Sequence, residues 1–144
     1  MIDTIDENCY IYFVISNIHN LLKKGHCMDN RITIIINDPP YGTERPYNAL
    51  RLANSLIKRD GVSVTVFLMG DSVTCAKAGQ KTPDGYYNIE RMLKPVVRRG
   101  KVLLCGTCMD ARGMTEGEIA EGCSRSTLDE LTELTISSDK VLVF

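Results

Sequence analysis

The firmest hydrophobic pattern along the chain is Arg31 to Ile36 (RITIII), where apolar or β-branched side chains fall on both faces. Such a run predicts a strand buried on both sides. It ends at Asn37-Asp38-Pro39-Pro40, because prolines cannot donate to a sheet ladder. From Thr43 onward, Ala49, Leu50, Ala53, Leu56 and Ile57 recur at helical spacing until Asp60-Gly61 stops the pattern. Val62 to Met69 predicts a second strand, with Gly70 after it and Asp71 or Ser72 as N-cap of a short helix. Beyond a polar stretch through Gly85, residues Ile89, Met92, Leu93, Val96 and Val97 mark one helix face, which Pro95 is expected to kink or cut short. Gly100 separates that helix from the strand Lys101 to Leu104. Thr115-x-x-Glu118 and Thr127-x-x-Glu130 have the form of capping boxes, and each predicts a helix start. Leu128, Leu131 and Leu134 give the last helix its core face, and Val141 to Phe144 forms a final strand.

The predicted order is β-α-β-(α)-α-β-α-α-β. Crossovers of this length imply parallel strands with helices on both faces, hence a Rossmann-like three-layer α/β/α fold with a mainly parallel central sheet. Residues 1–28 stand apart. Ile11, Val14, Ile15, Ile18, Leu21 and Leu22 fall at helical spacing, Tyr10 to Ile15 equally fits a strand, and Met28 immediately precedes the first firm strand. The expected organisation is a dispensable extension over 1–28, with a packed element as the alternative, and one domain over 29–144.

Composition narrows the function classes. The 144 residues, 44% hydrophobic, suffice for one compact core, and a net charge of −1 without a basic stripe gives no support for nucleic-acid or anionic-membrane binding. The stretch Cys9 to Leu22 is interrupted by Ser16, Asn17, His19 and Asn20 and is too polar to span a bilayer. There are 6 cysteines, but the acidic start Met1 to Glu7 lacks the positive region of a secretory signal, so reduced thiols and a cytoplasmic location are expected.

The densest chemistry is Cys105-Gly106-Thr107-Cys108-Met109-Asp110-Ala111-Arg112-Gly113, placed at the carboxyl end of a predicted strand and ahead of a helix. Reacting groups gather in that crevice of open α/β sheets. Helix N-terminal amides and the Arg112 cation both favour thiolate, the nucleophilic form, whereas Asp110 opposes it unless it points away or pairs with Arg112. Gly106 and Gly113 allow turns that bring backbone donors close to a bound anion. The C-x-x-C spacing lets one sulfur reach the other, so a disulfide, a resolving step or a persulfide hand-off is within reach. The competing reading is that cysteines at a strand end are small apolar fillers, and the pattern alone leaves both open. Cys75 fits core packing; Cys123 fits a helix cap or an approach to the loop; Cys9 and Cys27 fall in the extension. With no second C-x-x-C, and with His19 and His26 both in the extension, neither a metal nor a cofactor is expected. Lys81-Thr82 is preceded by Gln80 rather than glycine and does not form a P-loop.

The stiff loop from Asn37 to Pro46 ends the first strand at the same end of the sheet. Asp38 is a candidate to accept hydrogen bonds from a substrate or from Arg112, and Tyr41 to cover the sulfur; alternatively Asp38 and Thr43 merely terminate and cap elements.

Together, Asn37 to Ala53 and Cys105 to Gly113 resemble the first loop and the cysteine loop of the DsrE/DsrF-like (YchN-like) sulfur-relay family. Val62 to Asp71 and Ser126 to Val143 fit the same layout, so the resemblance runs from about residue 29 to 144. It implies a homotrimer or hexamer and a cysteine that carries persulfide sulfur between donor and acceptor proteins. The sulfur-carrying branch places its cysteine ahead of an Arg-Gly pair at the distance that Cys105 keeps from Arg112-Gly113, and the Cys-Gly-Thr-Cys form offers Cys108 as well. The chain departs from the sulfur-oxidation members in having two cysteines there and no alanine-rich run after the first. The expected function is therefore a cysteine-based sulfur carrier or sulfurtransferase, with Cys108 as carrier and Cys105 assisting. A non-catalytic oligomeric binding module and a dithiol redox protein are the alternatives.

Overall fold

The computed structural model describes residues 30–144; the predicted extension 1–28 lies outside them. Five strands form one sheet: β1 (Asn30–Ile36), β2 (Val62–Leu68), β3 (Lys101–Cys105), β4 (Ser124–Ser126) and β5 (Lys140–Val143). Their spatial order is β4-β3-β2-β1-β5, and every pairing is parallel. The helices are α1 (Arg45–Leu56), α2 (Ile89–Arg99), α3 (Gly106–Asp110) and α4 (Leu128–Ser137), joined by 3-10 segments at Gly70–Ala76 and Glu116–Glu118.

Right-handed crossovers explain the layers. The chain steps outward from β1 through β2 and β3 to β4, which keeps α1 and α2 on one face, packed against each other. It then returns across the sheet to β5, which puts α4 on the other face. Alternate residues of the strands divide accordingly. Ile32, Ile34, Ile36, Val64, Val66, Leu68, Val102 and Leu104 join the large core beneath α1 and α2. Phe67, Leu103 and Cys105 point the other way, toward Leu131 of α4.

Several boundaries differ from the sequence expectations. Helix α2 runs through Pro95 to Arg99, because Pro95 is on the exposed side, where the carbonyl it leaves unpaired does not have to be buried. Asn88 is its N-cap, accepting from the Arg91 amide at 2.9 Å. Neither Asp71 nor Ser72 caps the segment after β2: Met69 holds the N-cap position, and the Ser72 hydroxyl donates back to the carbonyls of Ile36 and Met69. The Thr115–Glu118 capping box forms, but only one 3-10 turn follows. Ala78 N–H donates to the Glu118 carbonyl and Ala120 N–H to that of Ala76, drawing the chain into an antiparallel bridge instead of a helix. The unexpected strand β4 follows. Thr127 does cap α4, accepting from the Glu130 amide, while the Glu130 carboxylate takes the Ser126 hydroxyl at 2.6 Å. Leu128 is not in the core: it is 65% exposed, and Leu131 carries the contact of α4 with the sheet.

At Gly100, the residue that follows α2, the backbone lies hard against the sheet. A methyl group there would lie 2.3 Å from the Val64 carbonyl oxygen, which is locked in the sheet and cannot withdraw. Gly100→Ala is expected to destabilise the fold by about 3 kcal/mol, as overpacking against backbone does. Urea unfolding of the two proteins measures it, and equal midpoints would refute the close approach.

Candidate functional site

Strand β3 ends at Cys105, which is also the N-cap residue of α3; Cys108 is the third helical residue, so both sulfurs lie on the first turn. Met109 is fully buried in the large core and pins the short helix to the end of the sheet. That anchor turns Thr107 and Asp110 to solvent and leaves Cys108 half-buried. Cys105 is 8% exposed, closed in with Phe67, Leu103 and Leu131 on the α4 side. Cys108 packs against both apolar clusters, at the lip where the two layers meet the carboxyl edge of the sheet.

Among the described residues, one hydrogen bond ends on the Cys108 sulfur. The Gly70 amide reaches Sγ at 3.1 Å. This requires the left-handed backbone at Gly70 (φ +59), which glycine adopts without strain. Cys105 sits one helical turn back from Cys108, in the apolar cluster against which the Cys108 side chain packs. Burial pushes the Cys105 thiol up from its ordinary value of 9.0, and the neighbouring Cys108 side chain raises it further. The inner sulfur is thereby biased to the thiol form, and the outer one accepts the Gly70 amide.

Two arginines brace the loop. Arg112 donates through Nη1 to the Cys108 carbonyl at 2.9 Å and through Nε and Nη2 to Asp71 Oδ1 at 3.0 and 2.5 Å. It thus ties the cysteine turn to the Gly70 segment that supplies the amide. Arg125, on β4, grips Asp110 with two bonds of 2.9 and 2.6 Å and lies flat across Gly106, where a methyl would meet its Nε at 2.8 Å. This guanidinium holds the Asp110 carboxyl below its usual range. Arg112→Ala is expected to slow alkylation of the Cys108 thiol by a small thiol reagent by about 3- to 10-fold, as loss of a partly exposed charged tether would. Thermal unfolding should move little, so a rate equal to wild type would remove Arg112 from the site.

The structure brings together only some of the residues singled out from sequence. Cys105, Gly106, Cys108 and Arg112 meet, with Thr107 on the exposed rim. Asp110 is turned to Arg125, not Arg112. Asp38 does not reach Arg112 either; it accepts from the Thr43 hydroxyl at 2.8 Å and pairs with Arg45 at 3.5 Å, so its role is to fix the start of α1. Tyr41 does not cover the sulfur. Its hydroxyl accepts from the Ile89 amide at 3.2 Å and bonds Gln80, and its ring stacks on Tyr87 with centroids 5.6 Å apart. The reason is sheet order: β1 is two strands from β3, and the Gly70 segment fills the space between the loops. Asp71, Gly70 and Arg125 are the site residues that the pattern did not supply. Adjacency of β2 and β3 would have pointed to the first two; nothing in Ser124-Arg125-Ser126 announces a strand.

Cys75 and Cys123 belong to the core. Cys75 is fully buried, its thiol pushed up to about 12 by desolvation, and Cys123 is pushed up to about 11 for the same reason. Among the described residues no group of three or more His, Cys, Asp or Glu side chains converges as a metal site would require, and no helix is long and apolar enough to cross a membrane.

Comparison with known proteins meets the same architecture. The chain is 41% identical over 116 residues to the protein YchN of Escherichia coli K12, covering 79% of this chain and 98% of YchN. The crystal structure of YchN superposes with a TM-score of 0.76, over 80% of this chain and 99% of that one. More distantly, the chain is 24% identical over 126 residues to a sulfurtransferase TusD homolog of Vibrio parahaemolyticus, across 78% of this chain and 95% of the homolog. The family model for the DsrE/DsrF-like family matches residues 30–144. The all-parallel sheet, the cysteine turn at the end of its third strand and the extent of these matches lead to one conclusion: this chain belongs to the DsrE/DsrF-like family.

Proposed function

We propose that the chain is a small sulfur carrier or sulfurtransferase in which Cys108 accepts sulfane sulfur as a persulfide and passes it between partner proteins. The observation that carries this reading is the half-buried Cys108 sulfur at the lip of the sheet, accepting the Gly70 amide at 3.1 Å. A thiol that is reachable from outside and offered a backbone donor can attack a sulfane donor and keep the resulting anion stabilised. Arg112 holds the donor segment in place, and Cys105 assists from within. Likeness to a TusD homolog, named a sulfurtransferase, points the same way.

The partners on this reading are a sulfur donor protein and an acceptor protein in a reducing, cytoplasmic setting. Assembly into a homotrimer or hexamer would cover the exposed apolar side chains Leu128, Ile136 and Val143. The function is tested by incubating the protein with a small-molecule persulfide, removing the excess, and mapping added sulfur by peptide mass spectrometry. Sulfur on Cys108 that passes to an acceptor thiol is the expected result. Absence of an adduct from every cysteine would refute the carrier reading and favour a binding module built on the same loop.

A further inference from the structure

We infer that the cysteine pair gives the chain a second activity: release of a loaded persulfide as hydrogen sulfide, leaving a Cys105–Cys108 disulfide on the protein. The inference rests on the carrier reading, since it begins from a persulfide on Cys108. Three observations lead to it.

Cys105 faces an inner wall of Phe67, Leu103 and Leu131 and is 8% exposed, so a partner protein has almost no access to it. It nevertheless belongs to the cluster against which the Cys108 side chain packs. The two residues occupy the N-cap and third positions of one helical turn, where α-carbons stand about 5 to 6 Å apart, inside the range a disulfide bridges. A thiol closed to outside partners but held one helical turn from the carrier sulfur has one reaction available: attack on that sulfur. Here the outer sulfur comes three residues later, and the N-cap sulfur waits behind it.

The step balances without an outside oxidant. Cys108 carries Sγ–S–H and Cys105 carries Sγ–H. The Cys105 sulfur, on losing its proton, attacks Cys108 Sγ; the Sγ(105)–Sγ(108) bond forms and the bond from Cys108 Sγ to the sulfane sulfur breaks. Hydrosulfide departs and takes up the proton, giving hydrogen sulfide. The two cysteine sulfurs are oxidised to the disulfide, and the sulfane sulfur is reduced to sulfide by the same electron pair. A dithiol reductant, attacking the more exposed Cys108 sulfur, returns both thiols by exchange. Burial keeps Cys105 in the thiol form, which prevents the persulfide from collapsing as soon as it forms and leaves time for hand-off to an acceptor. When no acceptor arrives, the pair clears itself.

The test loads the full chain with glutathione persulfide, removes the excess, and follows the protein without acceptor or reductant. Sulfide is quantified over time and disulfides are mapped by non-reducing peptide mass spectrometry. Wild type should release sulfide in step with the appearance of a Cys105–Cys108 disulfide. Cys105→Ser and Cys105→Ala should keep sulfur on Cys108 and release sulfide about 10-fold more slowly or less, since both lose the adjacent attacking thiol. If wild type and variants lose sulfur at equal rates and no 105–108 disulfide appears, discharge is overturned while sulfur mapped on Cys108 leaves the carrier reading standing. If Cys108 takes up no sulfur even in the Cys105 variants, both readings fall together. The disulfide map of wild type decides the matter even if a variant folds poorly.

Discussion

Cys108→Ser is expected to take up no measurable sulfur from a persulfide donor, a loss of about 10³-fold or more, because a serine hydroxyl is almost wholly un-ionised at neutral pH and is no substitute for a thiolate. The substitution is nearly isosteric at a half-buried position, so the fold and the Gly70 contact should survive, and circular dichroism should overlay wild type. Cys105→Ser should still load, since the receiving sulfur is untouched. This contrast separates the two sulfurs better than either variant alone. It also excludes the other described thiols: Cys75 and Cys123 are buried and held protonated, so neither should acquire sulfur when Cys108 is gone. Loading of Cys108→Ser at the wild-type rate would move the chemistry to a different cysteine and dismantle the proposed site.

The second large effect is on stability at high pH. Cys75 ionises near 9.0 when exposed in the unfolded chain, and at about 12 in the folded one, because burial desolvates the thiolate. Between those values the folded state holds the proton and the unfolded state does not, so rising pH favours unfolding. The stabilisation is complete below pH 9 and is lost progressively up to pH 12. At about 1.4 kcal/mol per pH unit the loss approaches 4 kcal/mol for this one thiol. Cys123, pushed up to about 11, and Cys105, raised for the same main reason, act in the same direction. Urea unfolding as a function of pH should therefore show a steep alkaline decline. Cys75→Ala lowers stability at neutral pH by leaving a small void, but it should flatten the decline between pH 9 and 11. An unchanged slope in that variant would mean that Cys75 does not titrate in the unfolded chain as described.

How much of the site was legible varies residue by residue. The cysteine turn was readable because C-x-x-C at the end of an apolar run combines a rare residue spacing with a recognisable place in the fold. Arg112 was readable because it is local in sequence, within one turn of Cys108. Its partner was not: Asp71 lies 41 residues away and meets Arg112 only because β2 and β3 are neighbours. Asp38 and Tyr41 failed for the converse reason. They share an end of the sheet with the cysteines, but a shared end does not give proximity until strand order is known.

The same division holds for the fold. RITIII, the helical repeat through Ala49 and Ala53, and the run to Leu104 dictated strand, helix and strand unaided, since burial on both faces leaves a continuous apolar signature and a helix on a sheet leaves a periodic one. The capping box at Thr115 formed as written and still did not make a helix, because bonds to Ala76 and Ala78 captured the chain after one turn. Local sequence thus determined the class of fold and the identity of the two sulfurs. Only the tertiary structure decided which sulfur faces out, which amide and which cations attend it, and that Cys105 is closed in behind it. Those properties depend on strand order and on contacts between residues far apart in the chain, and no local pattern encodes them.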